Sequence, residues 1–170
     1  MGKPLNSCLV LGSGFSQFSD APMLAHRLLI IGYGNDLRGD DAAGRAAAER
    51  LAALPMPDTQ VLSVHQLMPE HAALLAQAHM AIFIDADSSG CQVVRVTHLT
   101  PAATWSAIDH ASAPEGLLAL AAAVYGRSPN GWLIHIPAIY CDLGAPLSPQ
   151  AEDGVTEAVE IVRHLIASCR

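Results

Sequence analysis

Apolar and polar positions alternate in blocks along this chain, and the blocks have two lengths. Short apolar runs that end in glycine, proline or aspartate are typical of strands, whereas longer alanine- and leucine-rich stretches with interspersed charges are typical of helices. The run RLLIIGYG suits a strand that is buried on both faces. The pattern predicts strands at 27–34, 60–64, 80–86, 91–99 and 130–140, and helices at 40–54, 69–78, 113–126 and 147–169.

This alternation of strands and helices predicts the fold class. It is typical of an α/β protein, here a three-layer α/β/α sandwich with a mostly parallel central sheet of about five strands. Residues 27–170 are interpreted as one domain, since no repeat or linker divides them. Residues 1–26 lack this rhythm and are expected to be either a flexible extension or a start-site artefact, with Met23 as the alternative start. In such sheets, sites form beyond the carboxyl ends of the strands.

Composition and charge narrow the possible functions. With 51% apolar and 15% charged residues the chain is globular, and its net charge of -7 argues against a nucleic-acid partner. No apolar run approaches the ~20 residues of a membrane helix, and the N-terminus is a poor signal peptide. The four cysteines are far apart and form no CxxC pair, which predicts incidental thiols in a reducing compartment. We therefore expect a cytoplasmic protein, acting as a monomer without a membrane partner.

The loop after the first strand, GYGNDLRGDDAAG, resembles a dinucleotide-binding turn but fails as one. Gly32 and Gly34 are present, but the third glycine of the fingerprint is missing from its place. Asp40 and Asp41 instead occupy the helix N-terminus, where two carboxylates would repel a pyrophosphate. One aspartate is explained as a helix cap beside the positive end of the dipole. The second is explained only in part.

Further polar residues follow the other strands at the same predicted edge. His65, Gln66 and Glu70 lie in VHQLMPE after the second strand, Asp85 ends the third strand, and His110 precedes the third helix. Each alone is more often a packed or surface residue than a ligand. Their common location at one sheet edge makes a joint site the better interpretation.

Asp41, His65 and His110 together predict a site for a divalent transition metal, since one carboxylate and two imidazoles are ligands that such ions accept. The sequence contains no G-x-S-x-G motif, and no cysteine has an evident paired base. The pattern therefore favours a metal ion over a side-chain nucleophile as the chemical centre.

These segments together resemble a known family. LLIIGYGNDLRGDDAAG resembles the N-terminal signature G-x-G-N-x-L-x-x-D-[DE]-x-x-G of the [NiFe]-hydrogenase maturation endopeptidases. HQLMPE, MAIFIDA, DHASAPEGLLALAAAVYG and the segment 133–166 resemble later parts of the family in the same order, so the likeness spans about residues 27–168. The residues that match the signature are Gly32, Gly34, Asn35, Leu37, Asp40, Asp41 and Gly44.

The resemblance implies an activity and a ligand set. Members of the family remove a C-terminal extension from the precursor of the hydrogenase large subunit after nickel has entered it, and they are thought to recognise that nickel. The resemblance implies that the nickel arrives with the substrate and that other divalent ions such as Zn²⁺ or Cd²⁺ can occupy the site in vitro. Carried over, the metal-binding positions fall on Asp41, which is also the expected catalytic residue, on the segment of His65, and on His110.

The second position departs from the better-known members, which carry an aspartate in a glycine-rich turn. This chain has HQLMPE there, and His65 is our choice because neutral imidazole suits nickel better than an amide does. Gln66 and Glu70 remain alternatives. Asn35 and Asp85 are expected to position the site, and Asp40 to cap the helix.

Two other functions are compatible with parts of the pattern. One is a non-catalytic α/β module that binds a nucleotide or metabolite, although the acidic pair argues against phosphate. The other is an aminopeptidase with a permanent metal site, which would need more ligands than the sequence offers.

Overall fold

The fold was determined from a computed structural model that describes residues 26–102 and 113–168. Its strands are β1 (His26–Tyr33), β2 (Thr59–Val64), β3 (Ala78–Asp87), β4 (Arg95–Leu99) and β5 (Asn130–Pro137). Its helices are α1 (Ala43–Ala52), α2 (His71–Leu75), α3 (Pro114–Tyr125) and α4 (Pro149–Ser168), with a 3₁₀ turn at Gly39–Ala42 directly before α1.

The strands form one sheet in the order β2-β1-β3-β5-β4. β2, β1, β3 and β5 are parallel, and β4 joins β5 as an antiparallel edge strand. Side chains of β1 alternate between the two faces: Leu29 and Ile31 pack towards α2 and α3, whereas Leu28 and Ile30 pack towards α1 and α4. The predicted three-layer sandwich with a mostly parallel sheet of five strands is confirmed.

Several elements are shorter than predicted, most clearly α2 and β4. α2 has five residues instead of ten, because the chain turns after Leu75 and β3 already begins at Ala78. β4 begins at Arg95 and not at 91. Its register against β5, continued towards 91, would place Val93 opposite Pro137, which has no N–H to donate to a ladder. The same proline ends β5 three residues before the predicted boundary.

The topology fixes where a site can form. β1 leads through α1 to β2 on one side, while β3 lies on the other side of β1, so the connections diverge between β1 and β3. At this switch point α1 packs very closely on the sheet. A Cβ added to Gly44 would lie 2.3 Å from the carbonyl oxygen of Ile84 and 2.5 Å from that of Tyr33. Glycine at this position therefore brings the start of α1 against the ends of β1 and β3.

Candidate functional site

An open cleft of about 580 Å³ lies at the carboxyl edge of the sheet. The residues that line it come from the ends of all four parallel strands or the loops that follow them, as expected for a doubly wound sheet. They are Tyr33, Gly34, Asn35, Arg38, Asp41, His65, Gln66, Leu67, Asp85, Ser88 and Cys141.

The loop after β1 presents Asp41 to this cleft. Gly34 has a φ of 139°, and a Cβ there would lie 1.9 Å from the carbonyl oxygen of Asp41, so only glycine fits. The main-chain N–H of Asn35 donates to Oδ2 of Asp41 over 3.0 Å, and Oδ1 of Asn35 accepts from the N–H of Leu37 over 2.9 Å. The carboxylate of Asp41 therefore accepts from the main-chain N–H of Asn35, a donor that a bound phosphate would need. This is the structural reason why the loop is unsuited to nucleotides.

Asp85 faces the same cleft from the end of β3. The pKa of this carboxyl is raised to about 6, mainly by burial and also by the charges of Asp41 and Asp87. Hydrogen bonds from the Tyr33 hydroxyl and the Ala86 N–H favour the ionised form and oppose this shift. The pKa of Tyr33 is raised in turn by burial and by the charge of Asp85. The two carboxylates, Asp41 and Asp85, thus lie close enough to repel each other across the switch point.

The three candidates for the second ligand lie in different places. His65 and Gln66 line the cleft with exposed side chains, whereas Glu70 is exposed at the start of α2 and is not a lining residue. His110 lies outside the described residues. Within the part of the chain that the structure describes, no group of three His, Cys, Asp or Glu side chains is arranged to hold a metal ion.

The prediction that Asp40 caps the helix is wrong. Its carboxylate is fully buried and makes no capping bond. Its Oδ2 accepts from the N–H of Ile139 (2.8 Å), the N–H of Tyr140 (3.0 Å) and the hydroxyl of Ser148 (2.9 Å), and its Oδ1 accepts from the N–H of Ser148 (2.6 Å). The 3₁₀ turn directs this carboxylate away from the amides of its own helix. Asp40 thus fixes the segment between β5 and α4.

Burial alone would raise the pKa of Asp40, but the hydrogen bonds from Ser148, Tyr140 and Ile139 outweigh it and lower the pKa below its ordinary value. The carboxylate is therefore held in its ionised form, and its role is structural. Ser148 extends the connection into α4, since its Oγ also accepts from the N–H of Ala151 over 3.2 Å.

Sequence reasoning missed five residues of the cleft, namely Tyr33, Arg38, Leu67, Ser88 and Cys141. Cys141 was predicted to be an incidental thiol, but it lines the cleft, and the pKa of its thiol is raised by burial and by the charges of Asp41 and Asp40. Arg38 reaches the same segment, where its Nε donates to the carbonyl of Cys141 over 3.2 Å. A signal was available for two of them, because Tyr33 ends the first apolar run and Cys141 directly follows the last predicted strand.

Known proteins with this architecture point to one family. The [NiFe] hydrogenase maturation protease HybD from Thermococcus kodakarensis is 28% identical, with 82% of this chain and 99% of that chain covered and a TM-score of 0.61. HycI from the same organism is 24% identical (83% and 92% covered, TM-score 0.65), and the maturating endopeptidase HybD from E. coli is 21% identical (84% and 93%, TM-score 0.65). The chain has the fold of the hydrogenase maturation proteases.

The resemblance to the hydrogenase maturation proteases that the motifs predicted is thereby confirmed at the level of the structure. The likeness covers more than four-fifths of the chain and nearly all of the T. kodakarensis HybD protease. No protein-family model and no curated protein sequence matches the chain. Among the described residues, no helix is both long enough and apolar enough to cross a membrane.

Proposed function

We propose that this protein is an endopeptidase that removes the C-terminal extension of a [NiFe]-hydrogenase large-subunit precursor after nickel insertion. The observation that carries the proposal is the pair of carboxylates, Asp41 and Asp85, that share one open cleft at the switch point. The likeness to HybD of T. kodakarensis, a protein described as a [NiFe] hydrogenase maturation protease, supports the same activity. The reaction takes place in the cytoplasm, and the enzyme acts as a monomer on this protein substrate.

Among the described residues, Asp41 and Asp85 bind the nickel of the substrate. Burial is the main reason that the pKa of Asp85 is raised, and the like charge of Asp41 adds to it. A divalent cation placed between the two carboxylates offsets both the burial of charge and their repulsion. Cysteine thiolates of the precursor supply the soft ligands of the ion, so the enzyme needs to supply only part of the coordination shell.

Asp85 replaces His65 in this assignment. Asp85 is partly buried at the end of a central strand, and it lies across the switch point from Asp41, whereas the side chain of His65 is exposed on the cleft wall next to β2. A partly buried carboxylate that accepts a main-chain hydrogen bond loses less conformational freedom on binding an ion than an exposed imidazole does. His65 then contacts the substrate beside the nickel, and His110 stays a predicted ligand.

The chemistry follows from this geometry. Asp41 and Asp85 hold the substrate's nickel against the scissile peptide, and a water polarised by that ion attacks the carbonyl carbon of the scissile bond. Nickel-free precursor leaves the two carboxylates without a partner, so it binds poorly and is not cleaved. Recognition of the ion and cleavage of the peptide are thus properties of the same pair of residues.

The test compares purified enzyme on nickel-loaded and nickel-free precursor, with the mass of the large subunit as the readout. Cleavage is expected only with nickel, and Asp41→Asn or Asp85→Asn should slow it by at least about 100-fold. Asp36→Asn is the matched control, because Asp36 lies in the same loop but is 58% exposed and pairs with Arg45 over 2.9 Å. Efficient cleavage of nickel-free precursor, or full activity in both cleft variants, would refute the proposal.

A further inference from the structure

Four large apolar side chains are exposed on the two loops at the border of the cleft. Leu37 in the loop after β1 is 62% exposed, and in the loop after β5 Ile139 is 44%, Tyr140 58% and Leu143 80% exposed. We call these four residues the apolar rim. Packing does not explain them, since an exposed apolar cluster is unfavourable in water unless a partner covers it.

The backbone that carries the apolar rim is held in place. The N–H of Gly144 donates to the carbonyl of Leu37 over 2.7 Å, and the N–H of Asp40 donates to the carbonyl of Tyr140 over 2.8 Å. The buried carboxylate of Asp40 accepts from the N–H groups of Ile139 and Tyr140 as well. The two loops are therefore joined to each other, and the exposure of their apolar side chains is a fixed property of the fold.

The apolar rim is continuous with the cleft. Arg38 and Cys141 line the cleft, and each directly follows a rim residue in the sequence, Leu37 and Tyr140 respectively. The hydrogen bond from Nε of Arg38 to the carbonyl of Cys141 joins the two loops where the rim meets the cleft. A polypeptide with one bond held at Asp41 and entering from this side has to cross the rim.

We propose that the apolar rim binds an apolar stretch of the precursor polypeptide adjacent to the scissile bond. The inference rests on the proposed function and adds the surface that recognises the protein part of the substrate. A second copy of this chain is the less suitable occupant, because it would cover the entrance to the cleft. Burial of a tyrosine side chain at the centre of an interface is a common source of binding energy, and the leucine and isoleucine side chains add apolar surface that is removed from water. The rim supplies affinity, whereas Asp41 and Asp85 supply the response to nickel.

The test uses the full-length enzyme and nickel-loaded precursor. Tyr140→Ser and Leu143→Ser should each raise KM by about 3-fold to 10-fold and leave kcat unchanged, since the rim acts on binding rather than on the chemical step. Tyr140→Phe should retain the wild-type KM, because the apolar ring is kept. Both positions are exposed, so the variants are expected to fold, which circular dichroism checks.

Val124→Ser is the matched control. Val124 is 61% exposed, and it lies near the end of α3, which leads within a few residues to the start of β5 at the edge opposite the cleft. Its KM should equal that of the wild type. Binding of labelled precursor, measured with all variants in an Asp41→Asn background, should rank them in the same order.

The outcomes separate the two claims. If the wild type leaves nickel-loaded precursor uncut, the proposed function fails and the rim inference falls with it. If the wild type cleaves but the rim variants and the Val124 control share one KM, only the rim inference is overturned.

Discussion

Replacement of Asp40 by asparagine should destabilise the protein although the side chain keeps its size. The buried carboxylate accepts four hydrogen bonds, three of them from main-chain N–H groups of Ile139, Tyr140 and Ser148. An amide has one oxygen in place of two and adds an NH₂ group. Its best orientation keeps the oxygen at the position of Oδ2 and turns the NH₂ towards the N–H of Ser148, so that two donors face each other.

The magnitude follows from the bonds that change. One charge-assisted hydrogen bond is lost and one buried N–H is left unsatisfied, while the three remaining bonds weaken because the acceptor is neutral. We expect the free energy of unfolding to fall by about 2–4 kcal/mol, out of a total of about 5–15 kcal/mol for a domain of this kind.

Urea unfolding at pH 7, followed by circular dichroism, measures this loss. The control is Asp36→Asn, which removes an exposed ion pair with Arg45 and should cost no more than about 1 kcal/mol. A loss of less than about 0.5 kcal/mol in Asp40→Asn, equal to that of the control, would refute the claim that this carboxylate fixes the loop after β5.

The same carboxylate predicts a dependence on pH. Hydrogen bonds lower the pKa of Asp40 in the folded state below that of the unfolded chain, about 4. Its contribution to stability is therefore fully present above pH 4 and is lost as the pH falls through the folded-state pKa. The difference in stability between wild type and Asp40→Asn should shrink along the same range, which urea titrations between pH 7 and pH 3 would show.

Three further changes test the remaining parts of the site. Gly44→Ala places a Cβ against main-chain oxygens of β1 and β3 and should lower the free energy of unfolding by about 3 kcal/mol in the same urea assay. Tyr33→Phe removes a hydrogen bond that favours the ionised form of Asp85, so the pKa of Asp85 should rise above about 6 in a carboxyl-carbon NMR titration. His65→Ala should raise KM for the nickel-loaded precursor while Glu70→Ala does not, because only His65 lines the cleft; equal KM values would contradict this placement.

The sheet was predictable because its strands are encoded locally. Apolar runs such as RLLIIGYG and MAIFIDA are buried on both faces, and their alternation with helical segments allows few topologies. Errors arose where an element depends on its neighbour. β4 is limited by Pro137 of β5, and α2 is limited by the early start of β3, and neither restriction is visible in the segment concerned.

The site was predictable in part. Asp41 was selected from its motif, and the structure places it in the cleft, but Asp85 was assigned only a supporting role. The polar residues after β2 look more like ligands in the sequence than a lone aspartate at the end of a strand does. What distinguishes Asp85 in the structure is its partial burial beside Tyr33 and its place in the same cleft as Asp41, and both are set by the order of the strands in the sheet.

The two adjacent aspartates show why sequence alone could not assign their roles. The two residues have the same side chain, and both lie at the start of the same helical segment. The 3₁₀ turn places Asp40 among amide groups of Ile139, Tyr140 and Ser148, about a hundred residues away in the chain, and places Asp41 in the cleft. Asp40 joins the segment between β5 and α4 to the 3₁₀ turn that carries Asp41. Replacement of Asp40 should therefore impair both stability and cleavage, whereas replacement of Asp41 should impair cleavage alone. Comparison of the urea midpoints and precursor-cleavage rates of the two Asp→Asn variants tests this division, and a stable but inactive Asp40→Asn would contradict it.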